Sequence, residues 1–232
     1  MLAVVLAGGK GRRLMPYTAE IPKPLVKLDE RSVLEHLLEQ MRKTGVDEVC
    51  LSVNHHAEKI KEVIKDGSSF GIRVRYTEEK EPLSTAAPLL LIDNLPENFI
   101  VVNGDILTDL SFDEVYEIHV KNKALCTIVT QQRRGQMEYG VIETDEAGRI
   151  RSFTEKPAYE FVVSCGVYVF NREILEHIPE NQAYGFDQLM LSLLEKKVSI
   201  NTYSFDGYWL DIGRIEDYEQ ARLDLARLKN QR

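Results

Sequence analysis

The chain lacks the marks of several common protein classes. Among its 232 residues are three cysteines, one tryptophan and eight prolines. No apolar run approaches the roughly 20 residues that cross a bilayer. Cys50, Cys126 and Cys165 are far apart and embedded in apolar runs, with no C-x-x-C pair and no histidine at ligand spacing. This excludes a disulfide frame and a zinc site, and predicts reduced core thiols in a cytoplasmic protein. The apolar opening at residues 2–7 has no basic flank and runs straight into Gly-Gly, so it does not read as a signal peptide. Positive charge is also in deficit, with 29 basic against 37 acidic side chains and a formal charge of −8. Neither nucleic acid nor a membrane surface is an expected partner, because both demand an excess of Lys and Arg.

What is present suits a globule with a large core, at 44% hydrophobic and 28% charged. No repeat, low-complexity tract or linker interrupts it, so one domain over 1–232 is expected. Short β-branched runs at 2–7, 48–53, 73–77, 99–103 and 125–130 read as strands, several of them apolar throughout, as in a parallel sheet buried on both faces. Helices are expected at 32–44, 57–65, 85–91 and 112–122. The first carries a capping box, Ser32 with Glu35, and Gly45 follows it. The second half changes rhythm: strands at 140–144, 150–154, 161–170 and 200–205 lie closer together, suggesting an antiparallel or mixed extension. Helices follow at 172–177, 186–195 and 215–229. The fold class is α/β, a Rossmann-like doubly wound, mixed but mostly parallel sheet.

Charge is unevenly spread. Residues 1–27 hold Lys10, Arg12, Arg13, Lys23 and Lys27 against one acid, Glu20, which suggests one focused anion site in an acidic protein. That segment contains Leu6-Ala7-Gly8-Gly9-Lys10-Gly11-Arg12-Arg13 directly after the first strand. Three glycines in four positions allow a tight turn whose N–H groups can close on phosphate oxygens. It is neither a Walker A loop, which ends in G-K-[ST], nor a dinucleotide fingerprint, since Leu14 stands where the third glycine belongs. Pro22 and Pro24 fix the backbone on both sides of Lys23.

The run from Leu6 through Thr18, followed by Pro22-Lys23-Pro24, resembles the opening motif of the sugar-phosphate nucleotidyltransferases, L-A-G-G-x-G-[ST]-R-L-x-P-x-T then P-K-P. Only Arg12 departs from it. The resemblance implies that Leu6, Ala7, Gly8, Gly9, Gly11, Arg12, Arg13 and Lys23 cradle a nucleoside triphosphate, with Arg13 and Lys23 stabilising the reaction. Gly104-Asp105 at the end of the strand at 99–103 matches the family's metal aspartate, and ligands of open α/β sheets bind at that edge. Asp211, in Tyr208-Trp209-Leu210-Asp211-Ile212-Gly213, matches the family's W-x-D-I-G, which implies that it supplies the second ligand to Mg²⁺. Tyr139-Gly140-Val141 and Glu155-Lys156-Pro157 match Y-G-V and E-K-P. Tyr139, Gly140, Glu155, Ser164, Trp209 and Asp211 would then contact the sugar, and Lys156 would hold its phosphate. The nucleotide side reads Glu79, Pro82, Leu83, Ser84, Thr85, where Ser84 and Ala87 replace both glycines of L-G-T-A-G. Ser164 replaces the asparagine of N-A-G-[IV]-Y.

The implied reaction is NTP + sugar 1-phosphate → NDP-sugar + pyrophosphate. Within the family the chain looks most like small guanylyltransferases acting on mannose-, heptose- or glucosamine-type 1-phosphates. A uridylyl- or thymidylyltransferase is the nearest alternative, and the sequence leaves homo-oligomerisation open. It also leaves open whether this is one domain of a longer protein. A non-catalytic regulatory subunit on the same fold usually lacks the loop arginine, the P-K-P lysine or a metal aspartate, and all are present here. A nucleotide-dependent oxidoreductase is disfavoured by the failed fingerprint.

Overall fold

A strand covered on both faces must be apolar at successive positions, and Leu2–Leu6 (β1) is. Val4 and Val5 are both fully buried, one in each of two core clusters on opposite faces of the sheet. The computed structural model describes residues 1–9 and 11–230, so Lys10 of the glycine loop lies outside the described residues. After β1 come a short pair, Lys27–Leu28 (β2) and Arg31–Ser32 (β3), then helix Val33–Lys43 (α1) and strand Glu48–Val53 (β4). Helix Ala57–Ile64 (α2), strands Arg73–Glu78 (β5), Asn98–Asn103 (β6) and Ile106–Thr108 (β7), and helix Phe112–Lys121 (α3) complete the first half. The second half contains Cys126–Gln136 (β8), Val141–Thr144 (β9), Ile150–Thr154 (β10), Ala158–Asn171 (β11), Phe186–Glu195 (α4), Asn201–Ser204 (β12), Trp209–Asp211 (β13) and Ile215–Asn230 (α5).

Seven strands form one sheet in the order β12-β8-β11-β6-β1-β4-β5. Every neighbouring pair is parallel except those of β11, which runs antiparallel to β6 and to β8. One face is covered by α1, α2 and α3 through Leu34, Leu37, Ile60, Ile64, Phe112 and Val115. The other is covered by α4 and the turns before it through Leu89, Ile174, Phe186, Leu189 and Leu193. A doubly wound sheet with an inserted antiparallel strand is therefore the architecture, as the alternating pattern predicts. The capping box is present: the Ser32 hydroxyl accepts from the Glu35 N–H and the Glu35 carboxylate accepts from the Ser32 N–H. Such caps contribute about 1 kcal/mol. Among the described residues, no helix is long and apolar enough to cross a membrane.

Three expectations need correction. The helix expected at 85–91 is only a 3₁₀ turn, Ala87–Leu91. Ser84 sits at φ +68°, Pro88 brings no N–H, and the N–H groups of Ala86 and Ala87 donate to the Tyr184 carbonyl instead of along a helix. The segment at 172–177 is likewise a 3₁₀ turn, Arg172–His177. β8 and β11 run past their expected ends, pairing from Ala158 opposite Gln136 to Ser164 opposite Thr130 in an arm beyond the sheet. The sequence also gives no warning of β7 and β13, three residues each, which pair antiparallel with Asp211 opposite Ile106.

Candidate active site

The carboxyl ends of β1, β4, β5 and β6 open at one edge of the sheet because these strands are parallel. A cleft of about 430 Å³ lies there, lined by Leu6, Gly8, Gly9, Asn54, Glu79 and Asp105, with Pro82, Ser84, Thr85 and Asn103. That volume suits a small-molecule site. Two glycines shape it. The N–H of Gly104 donates to the Leu6 carbonyl at 2.9 Å, and a Cβ on Gly104 would stand 2.8 Å from that oxygen. Glycine thus lets the end of β6 press on β1 and set Asp105 beside the loop. Gly11, at φ +60°, turns the loop back so that an added Cβ would meet Lys23 Cβ and Thr18 Cγ2 at 3.0 Å.

Lys23 is buried, 9% exposed, and its ammonium ion-pairs with Asp105 Oδ2 while lying 3.8 Å from Asp211 Oδ1. Asp211 arrives from the far end of the chain: β13 pairs with β7, and the Ile212 N–H donates to the Asp105 carbonyl at 3.0 Å. Arg13 reaches the same place from the glycine loop, its Nη2 being 3.7 Å from where a Cβ on Gly213 would stand. Burial, then the neighbouring Asp105 carboxylate, push the Asp211 carboxyl above its ordinary value; Lys23 and Arg13 pull it back. The Asp211 side chain is open on one edge, but its Oδ1 and that of Asp105 are buried and accept no hydrogen bond. Two hard oxygens without donors suit Mg²⁺, which takes one or two carboxylates and completes its shell with phosphates and water. Among the described residues no group of three or more His, Cys, Asp or Glu gathers as a fuller metal cage. The residues present fit Mg²⁺.

The other wall of the cleft is built on Glu79. Its N–H donates to the Val53 carbonyl, its own carbonyl accepts from Asn54 Nδ2, and its carboxylate accepts from Ser52 Oγ at 3.3 Å and the Leu83 N–H at 3.0 Å. Burial raises the Glu79 pKa, and these two hydrogen bonds oppose the rise. Thr85 Oγ1 accepts from the Phe186 N–H and so ties this wall to α4. Of the two residues at glycine positions of the motif, Ser84 lines the cleft, whereas Ala87 is buried in the core and turns its methyl away. Ala7 is also buried.

Tyr139, Gly140, Glu155 and Lys156 lie on and beside the β9–β10 hairpin. A Cβ on Gly140 would strike the Phe153 ring at 2.7 Å and Glu155 Oε2 at 3.1 Å. Among the described residues, no hydrogen bond or ion pair joins Glu155 or Lys156 to the Asp105 cluster. Ser164 sits where β11 slips register, its hydroxyl donating to the Tyr168 hydroxyl and accepting from the Gly166 N–H. Trp209 packs on the core, its indole N–H donating to the Cys165 carbonyl and its ring lying under Arg133. The structure thus gathers Arg13, Lys23, Asp105 and Asp211, and leaves the hairpin residues apart. Among the described residues Arg12 is exposed without a hydrogen bond or ion pair, and Lys27 is exposed on β2.

Asn54, Ser52 and Asn103 belong to this edge and are missed by motif reading. The available signal was positional: Asn54 directly follows an apolar strand, at the same carboxyl edge as Asp105. A second cleft, about 560 Å³ and lined by Glu97, Asn98, Lys123 and Asn171 among others, opens at the amino ends of β6 and β8, where no such cluster forms.

The pattern of a protein family described as Nucleotidyl transferase matches residues 2–227. The chain is 34% identical over 241 residues to a UTP--glucose-1-phosphate uridylyltransferase of Synechocystis, covering 95% of this chain and 62% of that protein. It is 33% identical over 224 residues to the mannose-1-phosphate guanylyltransferase catalytic subunit beta of Drosophila melanogaster, covering 93% and 60%. The chain therefore spans about three fifths of the length of these curated relatives. The crystal structure of HddC from Yersinia pseudotuberculosis superposes with a TM-score of 0.74 at 26% identity, covering 97% of this chain and 99% of that one. HddC has also been solved complexed with GMP-PN.

Proposed function

The chain belongs to the nucleotidyl transferase family, and from that premise we propose that it transfers a nucleoside monophosphate from an NTP to a sugar 1-phosphate, releasing pyrophosphate, with GTP favoured. The observation that carries this reading is the pair of donor-less oxygens on Asp105 and Asp211, two carboxylates that flank Lys23, with Arg13 near Asp211. Two polyanions must meet for the reaction to occur, and the site concentrates both cations and carboxylate ligands where they would meet.

An oxygen of the sugar phosphate attacks the α-phosphorus; that P–O bond forms as the bond to the leaving pyrophosphate breaks. The nucleophile is already an anion, so no general base is required, and positioning and electrostatic stabilisation carry the rate. Arg13 and Lys23 stabilise charge on the departing pyrophosphate. Lys156 holds the sugar phosphate, and Tyr139, Gly140, Glu155, Ser164 and Trp209 contact the sugar. Asp105 and Asp211 would hold Mg²⁺, which supplies a Lewis acid to phosphoryl oxygens. GTP is favoured on the guanylyltransferase relatives and the GMP-PN complex of HddC. Transfer from UTP is the second reading, on the similarity to a uridylyltransferase.

A matrix of NTPs against hexose and heptose 1-phosphates with Mg²⁺, read by pyrophosphate release, tests both. Release with GTP and a mannose-, heptose- or glucosamine-type 1-phosphate is expected. Preference for UTP or dTTP supports the second reading. No release from any pair makes the chain a non-catalytic member of its family.

A further inference from the structure

Asp211 stands on a slight support. Its strand β13 has three residues and pairs with the three of β7 in a two-stranded sheet apart from the main one. Such a pair has little stability of its own. On the β7 side the Tyr208 carbonyl accepts from the Asp109 N–H at 3.2 Å, and the Ile212 N–H donates to the Asp105 carbonyl at 3.0 Å. Bonded residues alternate along an antiparallel ladder, so the Trp209 carbonyl faces the opposite, open edge of β13. That edge is met from β8. Gln131 and Arg133 are two residues apart and so project from one face of their strand. Gln131, itself buried, donates from Nε2 to the Gly207 carbonyl at 2.9 Å, and Arg133 donates from Nη2 to the Trp209 carbonyl at 2.9 Å. Two donors on β8 thus meet two carbonyls at the same spacing.

Arg133 holds Trp209 a second time. Its guanidinium carbon lies 5.0 Å from the centre of the indole ring, within cation–π range. The ring's N–H is committed to the Cys165 carbonyl at 2.8 Å, which fixes the orientation it offers. Among the described residues no carboxylate ion-pairs with Arg133, so Trp209 is its partner in both contacts. Trp209 and Asp211 are in turn two residues apart, on one face of β13. We propose that Arg133 is a positioning residue for Asp211, an inference that rests on the reading above in which Asp211 holds Mg²⁺. By gripping Trp209 at its carbonyl and its ring, Arg133 fastens β13 to β8 and keeps Asp211 beside Asp105. Arg133 also stands opposite Phe161 in the arm, so the arm and the carboxylate pair share this one side chain. No motif contains it.

Terbium(III) alone tests this without nucleotide or turnover. It is a hard cation that takes oxygen ligands, and it emits when an indole close by is excited. Trp209 is the only tryptophan of the chain, so sensitised emission reports a cation bound beside it. The unmodified chain should give saturable emission that Asp211→Asn abolishes. Arg133→Ala should need about 5- to 10-fold more Tb³⁺ for half-saturation, the scale of one charge-assisted hydrogen bond. Arg133 is exposed, so its circular dichroism should match that of the unmodified chain. Arg133→Lys keeps a cation and a donor and should recover part of the loss, which a general loosening of the fold would not predict. Three results overturn the inference: no sensitised emission from the unmodified chain, emission that survives Asp211→Asn, or equal half-saturation in Arg133→Ala. Pyrophosphate release, assayed in parallel, separates the two readings. If Tb³⁺ responds as expected but no pair of NTP and sugar 1-phosphate releases pyrophosphate, the positioning role stands and the transfer reading falls. If pyrophosphate is released but Arg133→Ala binds Tb³⁺ as the unmodified chain does, the transfer reading stands and the positioning role falls.

Discussion

The strand ends and the arm beside them are both expected to handle phosphate, yet they are built on different terms. At the strand ends Lys23, Asp105, Asp211 and Glu79 each have neighbours that fix them. Along the arm, made of the outer parts of β8 and β11 with the β9–β10 hairpin, Glu155 and Lys156 have no ion-pair partner among the described residues. Tyr139, Phe153 and Val162 there are 76%, 60% and 72% exposed. A two-stranded extension with little apolar burial sits at the low-stability end of a structure. The contrast teaches that preorganisation is concentrated at the strand ends, while the arm has little packing to hold it.

That contrast can be broken first at its rigid side. Asp105→Asn and Arg13→Ala should each lower turnover by ~10²-fold or more, measured as pyrophosphate release from variants whose circular dichroism matches the unmodified chain. Near-normal turnover in either removes the cluster from the chemistry. Lys156→Ala probes the arm. It should raise KM for the sugar 1-phosphate ~10-fold, the scale of a lost charge-assisted hydrogen bond, and leave KM for GTP unchanged. An equal rise in both constants erases the distinction between the two regions.

A control sits at the amino edge of the sheet, away from both. His119 is fully buried between Thr127 and Asn98, and burial lowers its pKa to about 4. The unfolded chain keeps the ordinary value near 6.5, so it binds more protons between those limits. Stability should therefore be lost as pH falls from 6.5 toward 4, by on the order of 1–2 kcal/mol at pH 5. Urea unfolding at pH 7 and pH 5 checks this, and His119→Gln should flatten the difference. A similar slope in the variant would locate the acid sensitivity elsewhere.

The smallest effect is read at the junction. Cys165 is buried where β11 leaves the sheet for the arm, and burial pushes its thiol up to about 11. It should stay unlabelled by a thiol reagent at pH 8 alongside Cys50 and Cys126, which are also buried. Selective reaction of Cys165 would show that the arm opens down to its root.

Most of the sheet was legible because both-face burial writes apolar runs: the expected bounds of β4 and β10 match, and α1 announces itself through Ser32 and Glu35. Reading failed where tertiary partners decide. The segment around Thr85 has a helical look, but Ser84, Pro88 and the Tyr184 carbonyl impose a turn. β7 and β13 carry too few residues to show a period. The charge cluster was legible as motif residues, but not the pairing of Lys23 with Asp105, which depends on the fold. Asn54 belongs to no motif; only its place just past the carboxyl end of β4 brings it to the cleft.

The pairing of β13 with β7 also sets a timetable. A chain leaving the ribosome carries the glycine loop, Lys23 and Asp105 about a hundred residues before Asp211, and domains begin to organise from the amino end during synthesis. Until residue 211 emerges and docks opposite Ile106, Lys23 has one acid partner and the proposed Mg²⁺ site only one carboxylate. Ribosome-bound chains arrested at residue 205 should release no pyrophosphate, while chains held with the whole sequence clear of the tunnel should. By this order of assembly the two carboxylates come together only when β13 docks on β7.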